Sequence, residues 1–177
     1  MDPPSVPTDR LDGWRRVAET TEVPFSAGPV SVTAATVRFE PVDDADPRPF
    51  FFASRLRIEP SVAPNPVLTR LVERRARAGF RTRLADNDIR DVDHLDDREV
   101  RIDDPAASAA ALSTFRGECT VADRSAAGGR TVPVEALLAV WSVDDYRLAG
   151  GAYPLVGDAD RARRDLLRLI RGVRSAP

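Results

Sequence analysis

The stretch TVPVEALLAVWSV, residues 131–143, decides the fold class of this chain of 177 residues. It has the composition of a β-strand, and towards its end it is apolar on both faces. A strand that is apolar on both faces belongs in the middle of a sheet. We therefore work outward from a sheet whose interior holds this segment.

Six other segments show strand patterns on either side of this stretch. They are residues 14–19, 30–40, 50–59, a short strand at 100–102, 112–122 and 147–153. Residues 50–59 show the pattern most clearly, because five alternate side chains share one face: Phe50, Phe52, Ser54, Leu56 and Ile58. An antiparallel meander is the simplest connection between strands joined by short loops.

Two segments show the pattern of amphipathic helices. The first begins at Asn65, an N-cap residue followed by proline, and Gly79 is expected to end or interrupt it. Its predicted inward side chains are Val67, Leu68, Leu71, Val72 and Ala78. The second covers residues 159–173, with five side chains at helical spacing predicted to face inward: Ala162, Leu166, Leu169, Ile170 and Val173.

The order strands, helix, strands, helix predicts an α+β domain with one antiparallel sheet and two helices packed on it. We assign this domain to residues 13–174. Residues 1–12, which contain three prolines, are predicted to be a disordered arm, and residues 175–177 a tail.

Composition excludes several classes of protein. The net charge of −2 lacks the positive surplus on which general nucleic-acid binding depends. No apolar run is long enough to span a membrane, and without a signal peptide we expect the cytoplasm. All 26 basic residues are arginine and aspartate greatly outnumbers glutamate, a pattern typical of salt-adapted archaea. No motif predicts a cofactor or a catalytic site.

Five short motifs carry a resemblance to a known fold: DIRDV, REVRI, TFRGE, VPVEALLAVW and LAGGAYP. Across residues 13–174 the chain resembles uncharacterised haloarchaeal proteins associated with the PsbP-like α/β/α sandwich. The resemblance implies this fold and a non-enzymatic accessory or binding role. It implies no active-site residues.

The acidic segment 86–97 is predicted to be a hydrated loop, and a calcium site is its alternative. Asp86, Asp88, Asp91 and Asp97 roughly imitate the ligand spacing of a calcium loop, but Asp91 stands where glycine is required. His94, the only histidine, lies in the same segment and is expected to be solvated.

Cys119, the only cysteine, lies on an apolar strand face, where burial disfavours the reactive thiolate. We therefore predict that this side chain packs in the core and takes no part in catalysis.

Arginine stripes are the strongest candidates for a binding surface. Four lie together on the last helix, opposite its apolar face: Arg161, Arg164, Arg168 and Arg171. A second stripe follows the first helix, at Arg70, Arg74 and Arg77. Guanidinium groups in such rows bind carboxylates or other anions in bidentate geometry. The simpler explanation of each stripe is a solvated face, or pairing with this chain's own aspartates.

Three functional hypotheses remain open at this stage. The first is a non-enzymatic binding or accessory protein that recognises a protein partner or an anionic small molecule through an arginine-rich helical face. The second is a small-molecule carrier or enzyme with a sheet–helix pocket, for which the candidate lining is Trp14, Arg75, Trp141 and Tyr153. The third is an oligomeric subunit without a ligand.

Overall fold

The computed structural model describes residues 1–107, 109–123, 125 and 127–175. Its described residues form seven strands and two α-helices. In chain order these are β1 (Trp14–Ala27), β2 (Val30–Pro41), β3 (Phe50–Glu59), α1 (Pro66–Asp86), β4 (Ile89–Val100), β5 (Ala110–Val121), β6 (Arg130–Ser142), β7 (Tyr146–Pro154) and α2 (Ala159–Arg171). No helix in this part of the chain combines the length and apolar character needed to cross a membrane.

All seven strands form one antiparallel sheet in the order β1-β2-β3-β7-β6-β5-β4. The prediction of a single antiparallel sheet with two helices is therefore confirmed. Strand β6, which contains most of the segment that decided the fold class, lies inside the sheet between β5 and β7.

One helix packs on each face of the sheet, because the interior strands are apolar on both. Along β6, Leu137, Ala139 and Trp141 point towards α2. The side chains between them point towards α1, where the helix contributes Val72, Phe80 and Leu84 to the core. The α2 side chains Leu166, Leu169 and Ile170 are buried as the helical spacing predicted. The result is a three-layer α/β/α arrangement.

The prediction of a loop over 86–97 is wrong. Helix α1 ends at Asp86, and after a two-residue turn the chain enters β4. Strand β4 has no apolar alternation because it is an edge strand with almost every side chain exposed, so its backbone pairing with β5 determines its structure. Charged side chains are common on edge strands because they discourage pairing with other chains. Of the predicted short strand at 100–102, only Val100 is in a strand, as the last residue of β4.

Two predictions about α1 are also wrong. The helix does not end at Gly79, because Phe80 and Leu84 continue the four-residue spacing of buried side chains that starts at Val72. This buried line is rotated from the predicted one, and three side chains expected to face inward are exposed: Val67, Leu71 and Ala78. The predicted N-cap is confirmed, since the Asn65 side chain accepts a hydrogen bond from the backbone N–H of Leu68 at 3.0 Å.

The two ends of the described chain meet beside α2. Strand β1 is longer than predicted and continues through Pro24 to Ala27. Before it, the predicted disordered arm contains a 3₁₀ turn at Thr8–Arg10, and Ser5 pairs with Arg174 through two backbone hydrogen bonds. Val6 and Leu11 pack against the core on the α2 side.

Candidate functional site

Helix α1 holds a row of arginines along the flank that faces β4. Arg77, one of the predicted residues, donates from Nε to Ser113 Oγ at 3.0 Å, and its guanidinium lies 3.4 Å from Asp97. One turn later Arg81 donates to the carbonyl oxygen of Val92. This half of the row is therefore engaged with the chain's own sheet, as the structural explanation of the stripe predicted.

Asp97 is the centre of this contact. Its Oδ1 accepts from Ser113 Oγ at 2.6 Å and lies 2.9 Å from His94 Nε2. Burial acts to raise the pKa of Asp97, but these hydrogen bonds and the charge of Arg77 outweigh it and hold the pKa below its ordinary value. Ser113 and His94 both contact the Asp97 carboxylate. In a catalytic pair, by contrast, the nucleophile is hydrogen-bonded to its base.

The N-terminal half of the arginine row is different. Arg70 and Arg74 are exposed and form no ion pair among the residues that the structure describes. Beside them, Val67 is 80% exposed and Leu71 41% exposed. We call these four residues, Val67, Arg70, Leu71 and Arg74, the α1 surface. An apolar centre with guanidinium groups at its side is typical of protein-binding surfaces.

The four predicted arginines of α2 are all exposed, and two of them have side-chain contacts within the chain. Arg161 lies 3.8 Å from Asp165, and Arg168 donates to the carbonyl oxygen of Asp9. Within the described residues, Arg164 and Arg171 form no ion pair. Helix α2 buries its own apolar face and offers no exposed side chain comparable to Val67.

The four residues of the predicted sheet–helix pocket do not meet. Trp14, Trp141 and Tyr153 belong to the core on the α2 side of the sheet. Arg75 lies on α1, on the opposite side, where it is exposed and its guanidinium stacks 5.8 Å from the centroid of the Phe25 ring. Arg75 lies away from the core because the buried line of α1 is rotated from the predicted one.

The structure shows a different cleft, of about 340 Å³, at the end of the sheet where α1 meets β4. Arg38 and Tyr153 are among its lining residues, and Cys119 lies in its wall. Arg38 donates to the Asn87 side chain at 2.8 Å and lies 3.2 Å from Glu40. Its guanidinium is therefore already partly neutralised within the protein.

Cys119 is 6% exposed and belongs to the core on the α1 side. Burial raises the pKa of its thiol, and the carboxylates of Asp88 and Asp46 raise it further. This environment opposes thiolate formation, as the apolar strand face indicated.

A buried polar network on the α2 side was missed from the sequence. Glu135 on β6 is 4% exposed and accepts from the Tyr153 hydroxyl and from Arg163 of α2, with Arg116 at 3.5 Å. Burial first, then the hydrogen bond and charge of Glu135, raise the pKa of Tyr153 well above its ordinary value. The one available signal was a lone glutamate inside an apolar strand, because such a carboxylate requires partners.

The predicted calcium ligands are spread along the chain. Asp86 is the last residue of α1, Asp88 lies in the turn, and Asp91 and Asp97 are on β4. In the described ranges, no group of three or more histidine, cysteine, aspartate or glutamate side chains is placed to hold a metal ion.

Comparison with known proteins identifies a family for this chain but no activity. Residues 3–174 match a domain of unknown function, DUF6517. No curated protein and no solved structure matches the chain.

Proposed function

The chain belongs to the DUF6517 family, and from its own geometry we propose that it is a non-enzymatic binding protein whose α1 surface recognises an acidic segment of a protein partner. The observation that carries the proposal is that two exposed apolar side chains, Val67 and Leu71, lie beside Arg70 and Arg74 on one face of α1. Neither arginine forms an ion pair with any described residue. Helix α1 as a whole contains six arginines and only two acidic residues.

The chemistry of the surface favours a protein over a small anion. An isolated anion would use the two guanidinium groups and leave Val67 and Leu71 in water. A peptide segment with apolar and acidic side chains buries these apolar groups and neutralises both arginines, so that each feature contributes to binding. Arginine also suits such interfaces because its planar guanidinium binds carboxylates in bidentate geometry.

The experiment compares two charge-reversal variants of the tagged full-length protein. Arg70→Glu/Arg74→Glu changes the α1 surface, and Arg164→Glu/Arg171→Glu makes the same change in charge on exposed positions of α2. Each protein captures partners from a lysate of the source cells, and chemical cross-links identify the partner segment by mass spectrometry. We expect one partner that the α1 variant loses and the α2 variant keeps, cross-linked through an acidic segment.

The control also tests the competing location. If the α2 variant alone loses the partner, the binding face is the α2 stripe and the α1 surface is only a solvated helix face. If neither protein loses a partner, or the cross-linked segment is not acidic, the proposal is wrong. Both variants change exposed side chains, so circular dichroism should show the same fold in each.

A small-molecule carrier or enzyme is the second candidate, and the sheet-end cleft is the observation that favours it. Its volume of about 340 Å³ falls in the range of small-ligand sites. Cys119 provides a direct test, because it is the only cysteine and lies in the wall of the cleft. A panel of nucleotides and amino acids is screened for protection of this thiol from a labelling reagent. Protection by one compound supports a carrier, and no protection by any of them argues against it.

We also propose that the architecture is PsbP-like and that the chain comes from a haloarchaeon, where it works in the cytoplasm. A helix on each face of one antiparallel sheet supports the first part. The exclusive use of arginine and the excess of aspartate support the second. An experimental structure compared with PsbP-like proteins tests the fold, and an unfolding temperature that rises in molar salt is expected of a haloarchaeal protein.

A further inference from the structure

The α1 side of the sheet has room for a second helix. Helix α1 packs over β4, β6 and β7, and the side chains that β1 presents at the other edge of this face are exposed. Neighbouring strands lie about 4.8 Å apart, so β1 and β2 together form a strip about 10 Å wide. This width equals the diameter of an α-helix, about 10 Å with its side chains. We call the strip the β1–β2 shelf.

The strand register identifies the side chains of the shelf. Ile58 of β3 packs against the core on the α1 side, Val32 lies opposite Ile58, and Phe25 lies opposite Val32. The same pairing along the strands places six side chains on the shelf: Ala18, Thr20, Glu22 and Phe25 of β1, and Val32 and Ala34 of β2. Those on β1 are exposed and those on β2 are half-buried. Most of them are small or apolar, so another helix can approach the sheet closely.

The flank of α1 beside the shelf is open. Arg75, Gly79 and Arg83 follow one another at four-residue spacing and therefore share one side of the helix. The Arg75 guanidinium lies 5.8 Å from the centroid of the Phe25 ring, which shows that this side faces β1. A Cβ added to Gly79 would meet no atom within 4 Å, so the space between the two arginines is empty.

The charge of this flank lacks a partner. Neither Arg75 nor Arg83 forms an ion pair with a described residue. Burial, and then the charge of Arg38, lower the pKa of Arg83. The carboxylates of Glu22 and Asp86 oppose this shift, but neither forms an ion pair with Arg83. Carboxylates placed along the flank would complement both guanidinium groups.

We infer that the β1–β2 shelf binds an amphipathic helix of a partner protein, whose acidic side chains face Arg75 and Arg83 and whose apolar side chains cover Phe25 and Val32. This is recognition of a helix in a groove. From Ala18 to Phe25 the strand rises about 25 Å, the length of a helix of about 16 residues. The inference goes beyond the proposed function, because the α1 surface continues the arginine row on the other flank of the helix.

Synthetic peptides of about 16 residues are the probes for this site. The first carries leucines at i, i+3, i+4 and i+7 spacing and glutamates on the flanking positions. A second peptide has lysines in place of the glutamates, and a third has the composition of the first in scrambled order. Fluorescence anisotropy of each labelled peptide with the full-length protein gives Kd. We expect the acidic amphipathic peptide to bind at least about tenfold more tightly than either control.

Two tryptophan variants locate the bound peptide. Gly79→Trp fills the empty space beside the shelf, and we expect it to raise Kd by at least about tenfold. Ala78→Trp adds the same bulk one residue earlier, at an exposed position that points away from the shelf, so its Kd should equal that of the wild type. Both positions are exposed, and circular dichroism should show an unchanged fold in each variant. Arg75→Glu should weaken binding of the acidic peptide and strengthen binding of the basic one.

A fourth variant separates this inference from the proposed function. If Arg70→Glu/Arg74→Glu loses the acidic peptide and Gly79→Trp keeps it, the peptide binds the α1 surface, and the shelf is overturned while the proposed function is supported. If Gly79→Trp alone loses it, the shelf is the site, whether or not the α1 surface has a partner. Equal binding of the scrambled peptide, or no binding of the acidic peptide to the wild type at about 1 mM, overturns the inference.

Discussion

Tyr153 donates a hydrogen bond to Glu135, its direct neighbour across β6 and β7, and both side chains are buried. The same carboxylate accepts from Arg163 of α2, so it ties the outer helix to the sheet. A buried carboxylate is costly unless it is paired, and Glu135 is paired with Tyr153, Arg163 and Arg116 together.

Replacement of Glu135 by alanine is expected to destabilise the protein. It leaves the buried Tyr153 hydroxyl without an acceptor, and an orphaned buried polar group costs about 1–3 kcal/mol. Arg163 and Arg116 also lose their carboxylate partner, and this adds less to the loss of stability because both side chains reach solvent. Urea unfolding followed by circular dichroism measures the change in the free energy of unfolding.

Tyr153→Phe is the matched control for that measurement. It removes one hydrogen bond but leaves Glu135 paired with Arg163, so we expect a smaller loss of roughly 0.5–1.5 kcal/mol. A larger loss in Tyr153→Phe than in Glu135→Ala would contradict this account of the network.

Asp97 is expected to make stability fall at acid pH. Its pKa is lower in the folded protein than the ordinary value of 3.8, so the unfolded chain takes up the proton first as the pH falls. The stabilisation is therefore complete above about pH 4, and it is lost as the pH falls through the folded pKa.

Unfolding measurements on Asp97→Asn and Asp96→Asn distinguish the contribution of the Asp97 carboxylate to stability from that of a neighbouring carboxylate. Since the Asp97 carboxylate is partly exposed, we expect a loss of only about 1 kcal/mol at pH 7, shrinking to near zero below its folded pKa. Asp96 is exposed on the same strand and serves as the control, with little change at either pH. Equal effects of the two substitutions would show that the Arg77–Asp97 contact contributes nothing specific.

Cys119 is expected to react slowly with thiol reagents in the folded protein. Thiolate is the reactive form, and burial with the nearby carboxylates of Asp88 and Asp46 raises the thiol pKa above 9.0. At pH 8 we expect labelling at least about tenfold slower than in urea, where the thiol is free. Asp88→Asn should speed native labelling, and Asp123→Asn should not, because Asp123 is not among the carboxylates that raise this pKa. A native rate equal to that in urea would refute the assigned environment.

The sequence predicted the elements whose periodicity comes from burial. Helix α2 appeared with its inward residues, and the apolar stretch on β6 was recognised as interior strand. Strand β4 could not be found in this way, because an edge strand exposes nearly all its side chains and gains its stability from backbone pairing with β5. The amino-acid composition of β4 does not by itself indicate that pairing.

The candidate site was predictable only in part, for a related reason. The arginines of α1 and α2 were visible as rows, but which of them are neutralised depends on contacts across the fold, such as Arg77 with Asp97. The exposure of Val67 and Leu71 depends on the rotation of α1 about its axis. That rotation is set by Phe80 and Leu84, which lie beyond the glycine that was expected to end the helix.

Two glycine-to-alanine substitutions test the fold itself, and we expect them to change stability in opposite directions. Gly79 lies within α1, where an added Cβ meets no atom within 4 Å. Alanine is a better helix former, so Gly79→Ala should raise the free energy of unfolding by about 1 kcal/mol.

Gly151 lies inside the sheet on β7, where an added Cβ would collide with the Phe50 carbonyl oxygen and lie 2.9 Å from Leu166. Overpacking of this kind costs typically about 1–3 kcal/mol. Both substitutions restrict the unfolded chain equally. The difference between their changes in the free energy of unfolding therefore reports the folded environment alone. Thermal and urea unfolding of the two variants measures that difference, and a stability gain in Gly151→Ala would show that β7 does not lie between β3 and β6 as described.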